Sequence, residues 1–376
     1  MSKQTPTFAV FAGPSGGHLF PALAFSESLK KKLPSARIFF ITSHKGKPLT
    51  ERFPEGLFEE VVFIENFPSS PGISLRTVTF LLKLARAFIE SFRVVSRTQP
   101  DMSIGFGSYV SFPGVLLSAW RKIPTLIHEQ NQVPGKANVW LARHVEAVAE
   151  SFEGSFSGYA ARRIYKTGLP IRKKLVSTAL RLEKSSFAGP DGIKKFRLLV
   201  VGGSQGAGFL NCTVLQAFSH LSPEEKREIA VTHITGKTDF ESVASEYRRM
   251  GLQARVFPFF ENMEALYAES DLAVCRAGAN TLFELALFRL PAIVIPYPHA
   301  GGHQFENATP FVNKQAVLCE PESSLTDERL LKLIRNLKSD EALRTRMASA
   351  MQDAATPDAP ERLVELALSY LKGQTT

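Results

Sequence analysis

The sequence predicts an α/β protein made of two parallel-sheet domains. Three observations carry that expectation. Short apolar runs alternate with helical patterns along both halves, the signature of strands joined by crossover helices. The chain has 376 residues, of which 44% are hydrophobic, enough for two sizeable cores. Each half also opens with an apolar strand that runs into a glycine-rich turn and then a helix.

In the first half the apolar runs fall at 8–12, 37–42, 61–64, 102–105, 125–128 and 147–149. In the second they fall at 197–201, 229–234, 254–257, 272–275, 292–295 and 317–319. Gly, Pro and polar residues break the pattern between them. The join is expected at Lys166-Thr167-Gly168-Leu169-Pro170. That divides the chain into 1–167 and 168–355, with a closing helix in 356–376 expected to pack back on the first domain. The stretch from Ser185 to Gly192 reads as a surface loop, and helical patterns close the chain at about 326–338, 340–354 and 359–372.

Composition narrows the class. Three widely spaced cysteines (Cys212, Cys275, Cys319) fit a reduced compartment and suit neither a disulfide framework nor a zinc site. The apolar start is too short for a signal peptide, and no apolar run is long enough for a transmembrane helix. The formal charge of +9 is uneven. Residues 1–168 carry 20 Lys and Arg against 12 Asp and Glu, a net of +8, while 169–376 carry 25 against 24. This asymmetry points to an anionic partner for the first half: a nucleic acid, an anionic membrane surface or a pyrophosphorylated substrate.

The turns carry the chemistry. Gly13-Pro14-Ser15-Gly16-Gly17-His18 follows the first strand and precedes a helix, where backbone N–H groups can approach an anion. It is neither G-x-G-x-x-G nor a Walker A loop, and no acidic residue ends the second strand to hold a dinucleotide's ribose. His18, at the mouth of this turn, has a side chain suited to proton transfer near neutrality. Gly202-Gly203-Ser204-Gln205-Gly206-Ala207 repeats the strand–turn–helix context and suits a diphosphate. The same residues also fit a hydrolase nucleophile elbow, with Ser204 as nucleophile and Asp271 and His299 or His303 following in order.

Three more segments end at the same kind of sheet edge. Gly107-Ser108-Tyr109 follows a strand, as does the polar run His128-Glu129-Gln130-Asn131, which continues through Pro134-Gly135 to Asn138. Four adjacent polar side chains are too many for a core, so this run is expected to face a ligand or cap a helix. The third segment is Cys275 to Ala308. A buried strand there meets a small-residue turn and a helix bearing Glu284, followed by a second strand and a Pro/Gly loop ending in His303, Gln304 and Asn307. Polar groups thus gather beyond neighbouring strand ends, where ligands bind in open α/β sheets. Separately, residues 73–95 form an amphipathic pattern with Arg76, Lys83, Arg86 and Arg93 against Glu90. It fits either a core-packed helix with a solvated basic face or a helix lying on an anionic bilayer.

Taken together these blocks resemble the MurG family of glycosyltransferases, within family 28. The family's G-G-T-G-G-H stands here as Gly13 to His18, with Pro14 and Ser15 as departures. Its G-G-Y stands as Gly107-Ser108-Tyr109, with Ser108 replacing a glycine. H-E-Q-N is intact at His128 to Asn131, G-G-S-Q-G-A at Gly202 to Ala207, R-A-G-A-x-T-x-x-E at Arg276 to Glu284, and H-Q-x-x-N at His303 to Asn307. Gly301-Gly302 depart from the polar residues common in the family.

The resemblance implies the GT-B fold, two Rossmann-like parallel-sheet domains facing across a cleft. It implies inverting transfer of N-acetylglucosamine from UDP-GlcNAc to undecaprenyl-pyrophosphoryl-MurNAc-pentapeptide (lipid I), giving lipid II for peptidoglycan. Carried over by position, the donor site comprises Ser15, Gly16, Gly17, Asn131, Arg172, Ser204, Phe260, Ala279, Asn280, Thr281, Leu282, Phe283, Glu284 and Gln304. Of these, Glu284 would hold the ribose hydroxyls. Tyr109, His128 and Asn138 would meet the acceptor, and His18 or Glu129 would be the general base. No cofactor and no essential metal are expected, since the chain has no Asp-x-Asp. The expected partners are the two substrates and an anionic membrane surface, not nucleic acid, with the protein peripheral on the cytoplasmic face of a bacterial inner membrane. A galactolipid-synthase-like transferase, a UDP-sugar epimerase and a serine hydrolase using Ser204 remain as alternatives.

Overall fold

In a computed structural model the residues described are 5–65, 75–182, 195–202, 207–298 and 303–372. The expected apolar runs become strands of two all-parallel sheets, one of seven strands and one of six. The chain divides into two compact units, Met1–Lys173 with Thr356–Thr376, and Lys174–Ala355.

The first unit holds β1 (Thr7–Ala12), β2 (Arg37–Ser43), β3 (Glu60–Ile64), β4 (Met102–Phe106), β5 (Thr125–Glu129), β6 (Ala147–Glu150) and β7 (Ile164–Lys166), in sheet order β3-β2-β1-β4-β5-β6-β7. Its helices are α1 (Gly16–Lys32), α2 (Lys47–Thr50), α3 (Leu75–Thr98), α4 (Ser108–Trp120) and α5 (Lys136–Leu141). Helix α6 (Lys173–Leu180) begins where this unit ends.

The strands are apolar on both faces because both faces are covered, the usual condition of a parallel sheet. Phe8, Val10 and Ala12 pack with Leu19, Ala22, Phe25 and Leu29 of α1. Ala9 and Phe11 face the other way, onto Val94 and Val95 of α3 and Val110, Val115 and Leu116 of α4.

The second unit holds β8 (Phe196–Val201), β9 (Ile229–Ile234), β10 (Ala254–Phe257), β11 (Leu272–Cys275), β12 (Ala292–Val294) and β13 (Val317–Cys319), in order β10-β9-β8-β11-β12-β13. Between and after them run α7 (Gly208–Ser219), α8 (Pro223–Glu228), α9 (Phe240–Met250), α10 (Met263–Glu269), α11 (Ala279–Leu287), α12 (His303–Asn313), α13 (Asp327–Ser339) and α14 (Glu341–Ala354). The last helix, α15 (Ala359–Lys372), returns to the first unit. Its Leu363, Val364 and Ala367 join the core of β1 and α1, and Glu365 pairs with Lys32 at 2.7 Å.

In each sheet the strand order reverses once, between β1 and β4 and between β8 and β11. Such switch points open a crevice beyond the carboxyl ends of the strands. The turns that follow these strands are the motif-bearing ones.

The expected strands match those observed to within one residue at each end. The exception is β7, which the sequence reading omitted. It is a three-residue edge strand, exposed throughout, so it carries no apolar signal. The loop expected from Ser185 to Gly192 lies outside the described residues. Among the described residues no helix is long and apolar enough to cross a membrane, and no His, Cys, Asp and Glu cluster could hold a metal ion.

Candidate active site

In the first unit, β1 ends at Ala12 and α1 begins at Gly16, with Ser15 as an extended N-cap residue. The Ser15 carbonyl accepts from the backbone N–H groups of His18 (3.0 Å) and Leu19 (2.9 Å). Its hydroxyl lies 2.8 Å from Nδ1 of His18. His18 is half-buried, and burial of the ring lowers its pKa from 6.5 to about 4. The imidazole is therefore neutral at neutral pH. With an Nδ1 hydrogen donated to Ser15, Nε2 keeps the lone pair a base needs.

The β4 turn presses against this histidine. Gly107 has φ +73°, and a β-carbon there would stand 3.1 Å from Cδ2 and 3.3 Å from Nε2 of His18. Gly13 is equally constrained, since a β-carbon would lie 2.4 Å from that of Ser108. Ser108 itself has φ +69°, a strained value for a residue that carries a side chain. Tyr109 follows, half-buried at the start of α4. Arg172 stacks on Phe20 of α1, its Cζ 4.2 Å from the ring centroid, and Phe20 stands one helical turn on from Gly16.

Three of the four polar residues at the end of β5 are buried, contrary to the expectation that they are too many for a core: His128, Glu129 and Gln130 are each at most 2% exposed, and Asn131 is half-buried. The core tolerates them because each is hydrogen-bonded. His128 Nε2 lies 3.1 Å from the Gly168 carbonyl, to which it donates, and its Nδ1 lies 3.2 Å from the Gln130 amide nitrogen. Burial lowers the His128 pKa to about 4. Glu129 accepts from the Asn131 backbone (3.0 Å) and side chain (3.2 Å), the Gly135 backbone (3.0 Å) and the Asn138 side chain (2.8 Å). Burial pushes its carboxyl upward, and these four donors oppose the shift. Asn138 also donates to the His128 carbonyl and is buried. His128 and Asn138, both expected to meet the acceptor, are thus engaged within the protein.

In the second unit, β11 leads through Arg276, Ala277 and Gly278 into α11. Ala279, Leu282, Phe283 and Glu284 are buried there, and Asn280 and Thr281 half-buried. Leu282 is wholly in the core and Phe283 packs edge-on against Phe311, so these two can offer a ligand only backbone atoms. The Glu284 carboxylate accepts a 2.8 Å bond from the Tyr267 hydroxyl. Gln304 Oε1 accepts from the backbone N–H groups of Ala277 (3.1 Å) and Tyr297 (3.0 Å), tying the ends of β11 and β12 together. Asn307 donates to the Ala277 carbonyl and Arg276 to that of Ile295. Buried Arg276 also pairs with Glu322. Phe260 is half-buried beyond β10, its ring 4.7 Å from Phe257. Ser204 lies outside the described residues, with the rest of 203–206.

The hydrolase alternative fails on topology. Asp271 precedes β11 and binds Arg197, at the start of β8, through bonds of 2.7–3.0 Å. Val201, at the other end of that parallel strand, is four residues further on, roughly 13 Å along the sheet at about 3.3 Å per residue. Asp271 and Gly202, which opens the glycine turn, therefore stand at opposite edges.

With this geometry established, comparison with known proteins decides the lineage. Residues 8–150 match the glycosyltransferase family 28 N-terminal domain and residues 197–363 the family 28 C-terminal domain. A relative from Anaeromyxobacter sp. (strain K) is 36% identical over 365 residues, 96% of this chain and 92% of its own. One from Myxococcus xanthus is 37% identical over 360 residues, 95% and 90% of the two chains. Each is named UDP-N-acetylglucosamine–N-acetylmuramyl-(pentapeptide) pyrophosphoryl-undecaprenol N-acetylglucosamine transferase. This chain belongs to the MurG family of glycosyltransferase family 28. The family's GT-B fold is seen in a solved structure of MurG from Acinetobacter baumannii, which is 28% identical with a TM-score of 0.73 and covers 97% of this chain and 99% of its own. A UDP-N-acetylglucosamine 2-epimerase, 13% identical with a TM-score of 0.67 over 98% of this chain and 97% of its own, shares the fold alone.

Two features of this family member escaped the sequence reading. Tyr267 holds Glu284, and the only available signal was that a buried tyrosine hydroxyl needs a partner. The other is the pair of exposed tryptophans that extends the apolar surface of the amphipathic helix expected at 73–95. No side chain described from Thr79 to Arg86 of α3 is buried, and Leu81, Leu82, Ile89 and Phe92 are each half exposed or more. Trp120 (62% exposed) and Trp140 (45%) lie on the same unit, with Arg121 stacked on Phe92 and Phe112 bridging Phe88 to Trp140. Much of the helix's positive charge is paired, Lys83 and Arg86 with Glu65, and Arg86 with Glu90.

Proposed function

We propose that this chain transfers N-acetylglucosamine from UDP-GlcNAc to lipid I, forming lipid II by an inverting displacement. The observation that carries the reading is 36–37% identity over at least 95% of the chain to transferases of that name, together with H-E-Q-N, G-G-S-Q-G-A, R-A-G-A-x-T-x-x-E and H-Q-x-x-N intact in the sequence. The acceptor hydroxyl oxygen bonds to the anomeric carbon as the bond from that carbon to the UDP oxygen breaks. His18 takes the hydroxyl proton at Nε2. Glu284 holds the ribose, Phe260 offers its backbone to the uracil, and Arg172 with the α7 N-terminus stabilises the departing diphosphate. Helix dipole and guanidinium take the place a divalent cation fills in transferases with Asp-x-Asp, so turnover needs no metal.

The protein works as a peripheral enzyme on the inner membrane's cytoplasmic face. The exposed Leu81, Leu82, Ile89, Phe92, Trp120 and Trp140 enter the interface, and the excess positive charge of the first unit favours anionic lipid. Incubation with labelled UDP-GlcNAc and lipid I in vesicles should yield a labelled lipid product. Label found only in free sugar or in an isomerised nucleotide sugar would overturn the assignment.

A further inference from the structure

Two side chains in the first unit have chemistry suited to proton removal, and the geometry separates them. A general base needs a lone pair within hydrogen-bond reach of the proton it takes. A carboxylate has about four acceptor positions. In Glu129 four N–H groups fill them, all from the segment that follows β5. Each carboxylate oxygen faces a backbone N–H that cannot accept, so the hydrogen of a neutral carboxyl would be met only by turning over a side-chain amide, which at Asn138 would break its bond to the His128 carbonyl. The arrangement suits an ionised group that is already saturated.

What it holds is a stretch without regular structure. Residues 130–135 form neither helix nor strand, and α5 starts only at Lys136. The Glu129 carboxylate fixes both ends of this stretch, at Asn131 and at Gly135 with Asn138. Its own carbonyl is fixed in turn by the Ser151 hydroxyl (2.9 Å) and backbone N–H (3.0 Å). Ser155 closes the segment onto the Asn131 carbonyl at 3.2 Å. Inside it, Gln130 lies against Gly107: a β-carbon at Gly107 would be 3.3 Å from Gln130 Oε1 and equally 3.3 Å from His18 Nε2.

We propose that Glu129 is a positioning residue, a buried carboxylate that gathers Asn131, Gly135 and Asn138 and thereby holds Gln130 and Asn131 beside the His18 edge of the sheet. The inference rests on reading that edge as part of the transferase site.

Two variants test it. Glu129→Gln sets an amide NH2 against donors, and Asn138→Leu removes one donor while leaving the carboxylate in place. For each, kcat and KM are measured across pH, and hydrogen exchange is followed at the Gly135 amide. Glu129→Gln should raise KM at least tenfold with a smaller change in kcat, keep the native acid limb of the rate profile, and speed Gly135 exchange about tenfold or more. Asn138→Leu should do the same to a lesser degree, and the double variant should be no worse than Glu129→Gln alone.

If instead Glu129→Gln loses turnover by 10²–10⁴ together with the acid limb, while Gly135 stays protected, Glu129 is the base and the proposal is wrong. Native KM and native exchange in Asn138→Leu would equally overturn it, and that variant decides the matter should Glu129→Gln fail to fold. Exchange is read without turnover, so a native chain that transfers no sugar defeats the functional reading and leaves this test standing.

Discussion

Removing the Glu284 carboxylate should cost the chain its ability to tell a ribose from a 2′-deoxyribose. Glu284 is 8% exposed and is oriented by the Tyr267 hydroxyl at 2.8 Å, while Tyr267 is itself 2% exposed. A ribose hydroxyl donating to such a buried carboxylate contributes about 1.5–3 kcal/mol, roughly tenfold to a hundredfold in affinity. Glu284→Ala should therefore weaken UDP binding at least tenfold and weaken 2′-deoxy-UDP clearly less. Tyr267→Phe keeps the charge and removes only the orienting bond, about 0.5–1.5 kcal/mol, so UDP binding should weaken about three- to tenfold. Calorimetric titration of the three proteins with both nucleotides measures all of this. Native UDP affinity in Glu284→Ala would remove the residue from the donor site. An equal loss for both nucleotides would show that Glu284 shapes the helix rather than meeting the ribose.

His18→Ala should cut turnover by about 10²–10⁴ while UDP affinity stays within a factor of two or so. Because burial lowers the His18 pKa to about 4, the acid limb of kcat/KM should lie near pH 4 rather than 6.5, and a limb at 6.5 would point to another base. Vesicle binding should shift the emission of Trp120 and Trp140, the chain's 2 tryptophans, to shorter wavelength. Leu82→Glu should weaken that binding about tenfold or more, since a buried leucine contributes about 1.5–3 kcal/mol, and salt should weaken it further for anionic than for neutral lipid. Turnover should survive excess EDTA, and full loss restored by magnesium would refute the metal-free mechanism. Acid should destabilise the fold through His128 and His233, whose pKa values burial lowers to about 4 and about 3. Both are depressed below the 6.5 of the unfolded chain, so stability is complete above that pH and falls as pH drops towards 4. The loss is about 1.4 kcal/mol per pH unit for each histidine. Thermal melts between pH 7.5 and 5 in the native protein and in His233→Gln check this, and an unchanged slope would count against it.

The architecture was legible because a parallel sheet covered on both faces writes its strands as unbroken apolar runs, and β1, β4, β8 and β11 each end in a small-residue turn. β7 was not legible, since an exposed three-residue edge strand buries nothing that a pattern could register. The places of the motif-bearing turns beyond the strand ends were equally legible, but the task of each residue was not. Motif order fixes which side chains reach the carboxyl edge of a sheet; it does not say whether they point to a ligand or to one another. His128, Asn138 and Gln304 all spend polar atoms on the protein's own backbone, and Leu282 and Phe283 turn into the core. This division follows from the physics of the edge. A turn that must expose N–H groups and a neutral imidazole to a charged substrate has few apolar contacts of its own to hold it. The rigidity comes from buried, hydrogen-bonded polar groups behind it, which cost little once satisfied and a great deal when a partner is lost. Side chains behind the turn, such as Glu129 and Tyr267, are therefore as demanding in sequence as those in front, and a motif read from the chain alone mixes the two kinds.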